Sequence, residues 1–324
     1  MPMEVQCVLL MEFIIGTEKT KKRAQGTIIS GTGEFAVTHQ RIYDTAFLQC
    51  RRNVRQKHKG DRSVMNTNLK LVTYNIRFTW AGDGTNSLFC RLGLILDKIS
   101  EQQPDIICFQ EATDKNMKVL SKCLAPEYTV LLNQRESGYT GEGLAIAFRK
   151  ERVSLYGLEV FWLSETPYTV ASRFEGQSQH SRICQRLLFK DENTGKVFRI
   201  YNLHLEDVSE EVRYLHMQVV MKRVMEDKKQ YDLPFFIMGD FNATPDEKAM
   251  KYCLGDNNFD VRDLTSEIKG SYHGYGRRLP EIKIDYIIAD KSTAQKPHSV
   301  EVWTDCVNGV YLSDHYPIAL DIEL

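Results

Sequence analysis

Nowhere in this chain do apolar residues run on for the roughly 18 positions that a membrane-crossing helix needs, so no transmembrane segment is expected. Cys-x-x-Cys pairs are missing too. Cys7, Cys50, Cys90, Cys108, Cys123, Cys184, Cys253 and Cys306 are scattered, several of them in apolar runs such as Ile107-Cys108-Phe109. That scatter excludes the usual structural-zinc spacings. It predicts core thiols in a reducing, intracellular setting, with the cytoplasm as the first expectation. A secretory leader is not evident: Glu4 and Glu12 interrupt the partly apolar start, and no basic residue precedes it. Net charge is nearly absent, at −1 over 324 residues.

That near-neutrality hides an asymmetry. Residues 1–66 hold eleven Lys and Arg against six Asp and Glu, which leaves −6 for residues 67–324 out of the total of −1. Basic clusters at 19–23 and 51–59 follow neither a helical nor a strand period. Residues 1–66 are therefore expected to be a poorly ordered basic extension, with an arm for nucleic acid or acidic lipid as the competing reading. The acidic remainder argues against a broad nucleic-acid-gripping surface and leaves room for a local basic groove.

From Leu69 onward the pattern is regular. Residues 71–78 read as a strand with Val72, Tyr74, Ile76 and Phe78 on one face and Asn75 on the other. Leu88, Leu92, Ile95, Leu96 and Ile99 recur at helical spacing, with Pro104 just beyond. Residues 105–111 form a second buried strand with a polar end. Residues 144–148 and 153–162 read as a hairpin-like pair, and 197–204 as a further strand. An amphipathic helix with Val212, Leu215, Val219 and Val224 inward follows, then strands at 235, 282–288 and 317–324. The apolar share of 42% supports a sizeable core, and no low-complexity linker divides residues 67–324. One domain is expected there.

The polar residues that close these strands carry the chemistry. In Phe235-Phe236-Ile237-Met238-Gly239-Asp240-Phe241-Asn242, a buried run ends on a carboxylate and an amide two residues apart, which a strand would place on one side. Asn75, Glu111, Asn202, His204, Asp285, Asp314 and His315 lie at comparable positions. Singly, each has a plain reading as a turn former, a helix-start acid or a surface imidazole. Together they concentrate hard oxygen donors and imidazole where strands converge. That set suits Mg²⁺, or Mn²⁺, better than zinc, and it suits phosphate-ester hydrolysis.

Six blocks in order, around Asn75, Phe109-Gln110-Glu111, Asn202-Leu203-His204, Gly239-Asp240-Phe241-Asn242, Ile284-Asp285-Tyr286 and Ser313-Asp314-His315, resemble the endonuclease/exonuclease/phosphatase superfamily over residues 69–324. The resemblance implies an α+β fold, a four-layer α/β/β/α sandwich of two mixed sheets flanked by helices. It implies a metal held by Glu111 with Asn75 and Asp314. Asp240 would orient or deprotonate the attacking water, and Asn242 would hold that water or a phosphate oxygen. His315 would donate to the phosphate with its tautomer fixed by Asp285, while His204 would contact the phosphate or the leaving group.

Asn202, Arg182 and His273 are candidate substrate-binding residues, with a surface ion pair the rival reading for Arg182. Trp162 is expected in the core, with base or sugar stacking as its alternative. The late strand, Lys283-Ile284-Asp285-Tyr286, lacks the Cys-Asp-Arg of inositol-polyphosphate 5-phosphatases and argues against that branch. The expected activity is a Mg²⁺-dependent phosphodiesterase or nuclease on nucleic acid or a nucleotide-like phosphoester. Its rival is a phosphatase or phosphodiesterase of a small sugar- or lipid-phosphate. A non-catalytic binding module ranks last, because every matched position is retained. No protein partner is inferable.

Overall fold

The computed structural model describes residues 67–79, 81–138, 140–255 and 259–324. The expectation for residues 1–66, with Cys7 and Cys50, lies outside them. The chain runs β1 (Asn68–Asn75), α1 (Leu88–Gln102), β2 (Ile106–Thr113), α2 (Asp114–Leu124), β3 (Tyr128–Gln134), β4 (Glu142–Arg149) and β5 (Val153–Trp162). It continues through β6 (Ile183–Asp191), β7 (Val197–His204), α3 (Glu210–Gln230), β8 (Phe235–Asp240), α4 (Lys248–Leu254) and β9 (Val261–Asp263). Last come β10 (Asp285–Asp290), α5 (Lys291–Ala294), β11 (His298–Val302), the ribbon of β12 (Cys306–Val307) and β13 (Val310–Tyr311), and β14 (Ile318–Glu323).

Two mixed six-stranded sheets result, ordered β11-β14-β1-β2-β4-β3 and β5-β6-β7-β8-β10-β9. Strand alternation sorts their side chains into three apolar layers. Val72, Tyr74, Ile107 and Phe109 face outward onto Leu88, Leu92 and Ile95 of α1 and Met117 and Leu120 of α2. Leu69, Leu71, Ile106 and Cys108 face inward onto Leu187, Phe189, Phe198, Ile200, Phe236 and Met238 of the second sheet. The outer face of that sheet, with Tyr201, Leu203, Phe235 and Ile237, buries against Met217, Val220 and Val224 of α3 and Met250 of α4. The arrangement is the four-layer sandwich with helices outside. Among the described residues, no helix is long and apolar enough to cross a membrane.

Three expectations change. Residues 144–148 and 153–162 are not a hairpin: β4 pairs with β2 and β3, while β5 pairs with β6 in the other sheet. The short connection crosses between sheets because its arginines are claimed by buried acids. Arg149 and Arg152 lie 3.7 and 3.6 Å from Asp105, and Arg152 also lies 2.7 Å from Asp191. The first strand stops at Asn75 rather than running to 78, because Arg77 turns left-handed at φ 60°. On α3, Leu215 and Val219 are only half-buried. The inward stripe passes instead through Val212, Arg213, His216, Met217, Val220, Met221, Val224 and Asp227. Its polar members have internal partners, such as Arg186 and Tyr201 on Asp227, so hydrophobicity alone misplaces the face. Of the six described cysteines, Cys108, Cys123, Cys184 and Cys253 are buried as expected, Cys90 is half-buried and Cys306 exposed.

His216 gives this helix a pH signature. It is fully buried, its Nε2 lies 3.2 Å from Gln177 Oε1, and burial, reinforced by Arg182 and Arg213, lowers its pKa to about 3. The unfolded chain binds this proton near pH 6.5 and the folded chain does not. Stability is therefore full above pH 6.5 and falls by up to about 1.4 kcal/mol for each unit below it. Urea melts of His216→Gln between pH 6.5 and 5 are expected to show a shallower decline than the wild type. An equal slope would remove His216 as its source.

Candidate active site

The inward-facing parity that builds the inter-sheet core turns polar at one edge of the sandwich. In β1 the inward series Leu69, Leu71, Thr73 ends on Asn75. In β7 Phe198 and Ile200 lead to Asn202 and His204, and in β8 Phe236 and Met238 lead to Asp240. β10 runs the other way, so its inward Asp285 opens the strand. Register then aligns them: Asp240 pairs with His204 across the parallel β7–β8 ladder and with Asp285 across the antiparallel β8–β10 ladder. Gly239 makes this close approach possible. Its φ is 149°, and a Cβ there would overlap the Leu203 carbonyl oxygen.

Glu111 arrives by a different device. Plain alternation would put it outward with Phe109, but the β2–β4 register shifts between Phe109 and Ala112, and Glu111 is left-handed at φ 54°. A capping box at the start of α2 holds the kink. Thr113 Oγ1 accepts from Asn116 N at 3.3 Å, and Asn116 Oδ1 accepts from Thr113 N at 2.6 Å. The Asn116 amide also donates to the Glu111 carbonyl at 3.2 Å.

At the centre, Asn75 Nδ2 donates to Asp240 Oδ2 at 2.9 Å and to Glu111 Oε1 at 3.0 Å. The His204 and His315 Nε2 atoms stand 3.6 and 3.8 Å from Asp240 Oδ2. His315 Nδ1 is 2.8 Å from Asp285 Oδ2, and Ser271 Oγ accepts from Asp285 N at 3.0 Å, which fixes that strand start. Burial, with the Asp285 charge beside it, pushes the Asp240 carboxyl up to about 7. Burial works against a charge on His315, but Asp285 and Asp240 outweigh it and hold the imidazole protonated, well above its ordinary range. His204 goes the opposite way: burial, then the positive Arg182 and Arg135, keep it neutral. Two histidines on one carboxylate thus differ in charge.

Asn242 is not beside Asp240 on a strand, since β8 ends at Asp240 and Asn242 is left-handed at φ 48°. Its backbone N–H donates to Asp240 Oδ1 at 2.9 Å, and its side-chain amide to Leu205 O at 3.2 Å. The turn braces the carboxylate. Asn202 is turned inside the protein as well. It is fully buried, accepting from Gln110 Nε2 at 2.9 Å and donating to Gln185 Oε1 at 2.8 Å. This amide network ties the two sheets just beneath the site and occupies Asn202, so the structure does not present it to a substrate. His273 is likewise buried, stacked 3.9 Å from the Tyr316 ring, with Nδ1 accepting from Gly276 N at 3.0 Å. These contacts tie it to its own loop and to Tyr316. Arg182 is buried and paired 2.9 Å from Asp207, with Nη1 left without a hydrogen-bond partner. Trp162 is half-buried, and its indole donates to Arg135 O at 2.8 Å.

A family model described as the endonuclease/exonuclease/phosphatase family matches residues 72–315, three quarters of the chain. The chain belongs to that family.

Solved structures agree in fold with this endonuclease/exonuclease/phosphatase domain. An endonuclease/exonuclease/phosphatase from Bacteroides vulgatus is 28% identical, with 80% of this chain and 100% of that one covered at a TM-score of 0.72. Bacteroides thetaiotaomicron mannosyl-6-phosphatase is 23% identical, covering 79% and 100% at 0.69. The human Nocturnin catalytic domain with bound sulfate is 20% identical, covering 79% and 93% at 0.61. No curated protein matches the sequence.

Members of this family are hydrolytic phosphoesterases, generally dependent on a divalent metal. Two acidic groupings in the site bear on metal binding. Asp240, Asp285 and His315 present ligand atoms all within 4.8 Å of one another. There, however, the imidazole Nδ1 is already engaged with Asp285 Oδ2 at 2.8 Å. Glu111 and Asp314 form the second grouping. Both are buried, and both approach one guanidinium, that of Arg77, at 3.9 and 3.6 Å. Burial and the like charge of Glu111 push the Asp314 carboxyl up, opposed by His315 and Arg77. Two buried carboxylates facing one cation make a hard-oxygen locus suited to Mg²⁺ or Mn²⁺. Asn75 is differently engaged: its amide donates to the carboxylates, and its Oδ1 accepts from Arg77 N at 3.0 Å. In this geometry Asn75 bridges Glu111 to Asp240 and leaves the hard donors to the acids.

Arg77, Gln110 and Ser271 were not singled out in the sequence. Gln110 and Arg77 lie within two residues of Glu111 and Asn75, so motif neighbourhood is the available signal. Ser271 is brought in by loop pairing far along the chain, where Ile282 O accepts from Ser271 N at 2.9 Å and Ser271 O accepts from Tyr316 N at 2.7 Å.

Proposed function

We propose that this protein is a Mg²⁺-dependent phosphoesterase that hydrolyses phosphodiesters, of nucleic acid or of a nucleotide-like molecule, by attack of water at phosphorus. The observation that carries the reading is Asp240 Oδ2, 2.9 Å from Asn75 Nδ2 and facing His204 and His315 at 3.6 and 3.8 Å. A carboxyl raised to about 7 accepts a proton from water at neutral pH far better than an ordinary aspartate. Asn242 and Asn75 hold it in orientation. His315, kept cationic by Asp285 and Asp240, donates to the phosphoryl oxygens as negative charge develops. Neutral His204 offers or accepts a hydrogen bond on the other side of the carboxylate. Glu111 and Asp314 would hold the metal, which would supply Lewis-acid charge to the phosphoryl group.

One observation favours a second reading, a small sugar-phosphate substrate. An open, polar surface depression in the loop before β6 is lined by Arg173, Phe174, Glu175, Gln177 and Ser178, none of them a residue of the site above. Ser178 Oγ donates at 2.9 Å to Glu206, two residues beyond His204. Such a lining suits a hydroxyl-rich leaving group.

Hydrolysis of bis(p-nitrophenyl) phosphate and p-nitrophenyl phosphate with Mg²⁺, Mn²⁺ or EDTA tests both readings. The diester is expected to be cleaved faster, EDTA to abolish turnover, and Glu111→Gln to lower it by about 10²-fold or more. Monoester preference would select the second reading. Turnover that survives EDTA and Glu111→Gln would sink the metal mechanism.

A further inference from the structure

Arg77 has no part in the mechanism above, yet the fold goes to some length to place it. Its left-handed backbone is held by two bonds into the site: its own N–H to Asn75 Oδ1 at 3.0 Å and the next, Phe78 N, to Glu111 Oε2 at 2.9 Å. The guanidinium packs 4.5 Å over the Phe78 ring. Nε and Nη2 each lie 3.4 Å from the Asp83 carboxylate in a side-on pair. Nη1 is 3.9 Å from Glu111 Oε2 and Nε 3.6 Å from Asp314 Oδ2, beyond hydrogen-bond length. The cation is therefore anchored on Asp83 and held to Glu111 and Asp314 by charge alone.

We infer that Arg77 is a built-in counter-cation of the metal site, which balances Glu111 and Asp314 in the metal-free protein and competes with the divalent ion for them. The inference rests on the assignment of the metal to Glu111 and Asp314. A guanidinium and a dication drawn to the same carboxylate oxygens repel each other by an amount that matters at a few ångströms. Asp83 gives Arg77 somewhere to remain when the ion takes the other two carboxylates, and the Arg77 side chain is 21% exposed. The released fork stays at the mouth of the site as a positive charge facing an incoming phosphate. Metal affinity is thereby set lower than two buried carboxylates would otherwise give.

The test measures Mn²⁺ binding by calorimetry and by the electron paramagnetic resonance of the free ion, in wild type, Arg77→Gln and Glu111→Gln. Arg77→Gln is expected to bind Mn²⁺ about tenfold more tightly, and Glu111→Gln more weakly than the wild type. If Glu111→Gln weakens binding but Arg77→Gln matches the wild type or binds more weakly, the metal assignment stands and the counter-cation falls. If Glu111→Gln binds as the wild type does, the ion lies elsewhere and both fall. A Mg²⁺ titration of the wild type, following the Arg77 Nε–H resonance identified by its loss in Arg77→Lys, needs no glutamine variant. A shift that saturates with the ion supports the exchange, and an unmoved resonance overturns it.

Discussion

Asp240→Asn is expected to lower kcat for bis(p-nitrophenyl) phosphate by about 10³-fold, within the range set by loss of a general base. The substitution keeps the side-chain shape and the acceptor for Asn242 N, so the turn beyond β8 survives. What changes is the other oxygen. It becomes an NH₂ facing Asn75 Nδ2 at 2.9 Å, where an acceptor is required, and it no longer offers a base to water. His315 also loses one of the two carboxylates that hold it as a cation. Turnover should be measured at saturating Mg²⁺ beside a thermal melt. A variant that melts like the wild type and keeps more than about a tenth of its kcat would remove Asp240 from the proton-transfer role.

Arg91→Met is expected to cost about 3 kcal/mol, because it strips the buried Asn86 and Ile76 carbonyls of this donor and leaves Leu312 O with the Tyr74 hydroxyl alone, at 2.9 Å. For a domain of this size, that corresponds to a fall in Tm of roughly 6–12 °C. Arg91 is fully buried on α1 and donates to Asn86 O at 2.7 Å, Leu312 O at 2.5 Å and Ile76 O at 3.0 Å. Methionine fills much of the volume but makes none of these bonds. Two of the carbonyls flank the site: Ile76 lies between Asn75 and Arg77, and Leu312 precedes Ser313, Asp314 and His315. A lower kcat should therefore accompany the lost stability. A Tm within about 2 °C of the wild type would show that the Asn86 and Ile76 carbonyls find other partners.

The polar strand ends could be read in the sequence because strand alternation is a local rule. A run such as Phe236, Met238, Asp240 declares both its buried face and the residue at which that face stops being apolar. The same rule misplaced Asn242, because Asn242 itself is left-handed after β8 and breaks the alternation, a conformation asparagine adopts readily but which the strand period does not register. Asn202 and His273 stood in suggestive positions as well. Whether an amide or an imidazole faces a substrate or a neighbour depends on what lies opposite. For Asn202 that is Gln110 and Gln185 from two other strands. Arg91 gave no signal, since one arginine on an otherwise apolar helix face looks like a residue at the edge of the stripe.

The sequence by itself determined the periodicity of the buried strands and the order of the polar motifs that close them, and the family resemblance those motifs carry implied the two-sheet sandwich, because periodicity and motif order are properties of the chain alone. Only the tertiary structure decided that β4 and β5 part into different sheets and that Glu111 reaches the site through a bulge. It also decided that His204 is neutral while His315 is charged. Each of these depends on distances of a few ångströms between groups far apart in the chain. Hydrogen bonding and the energy of a buried charge are set by those distances.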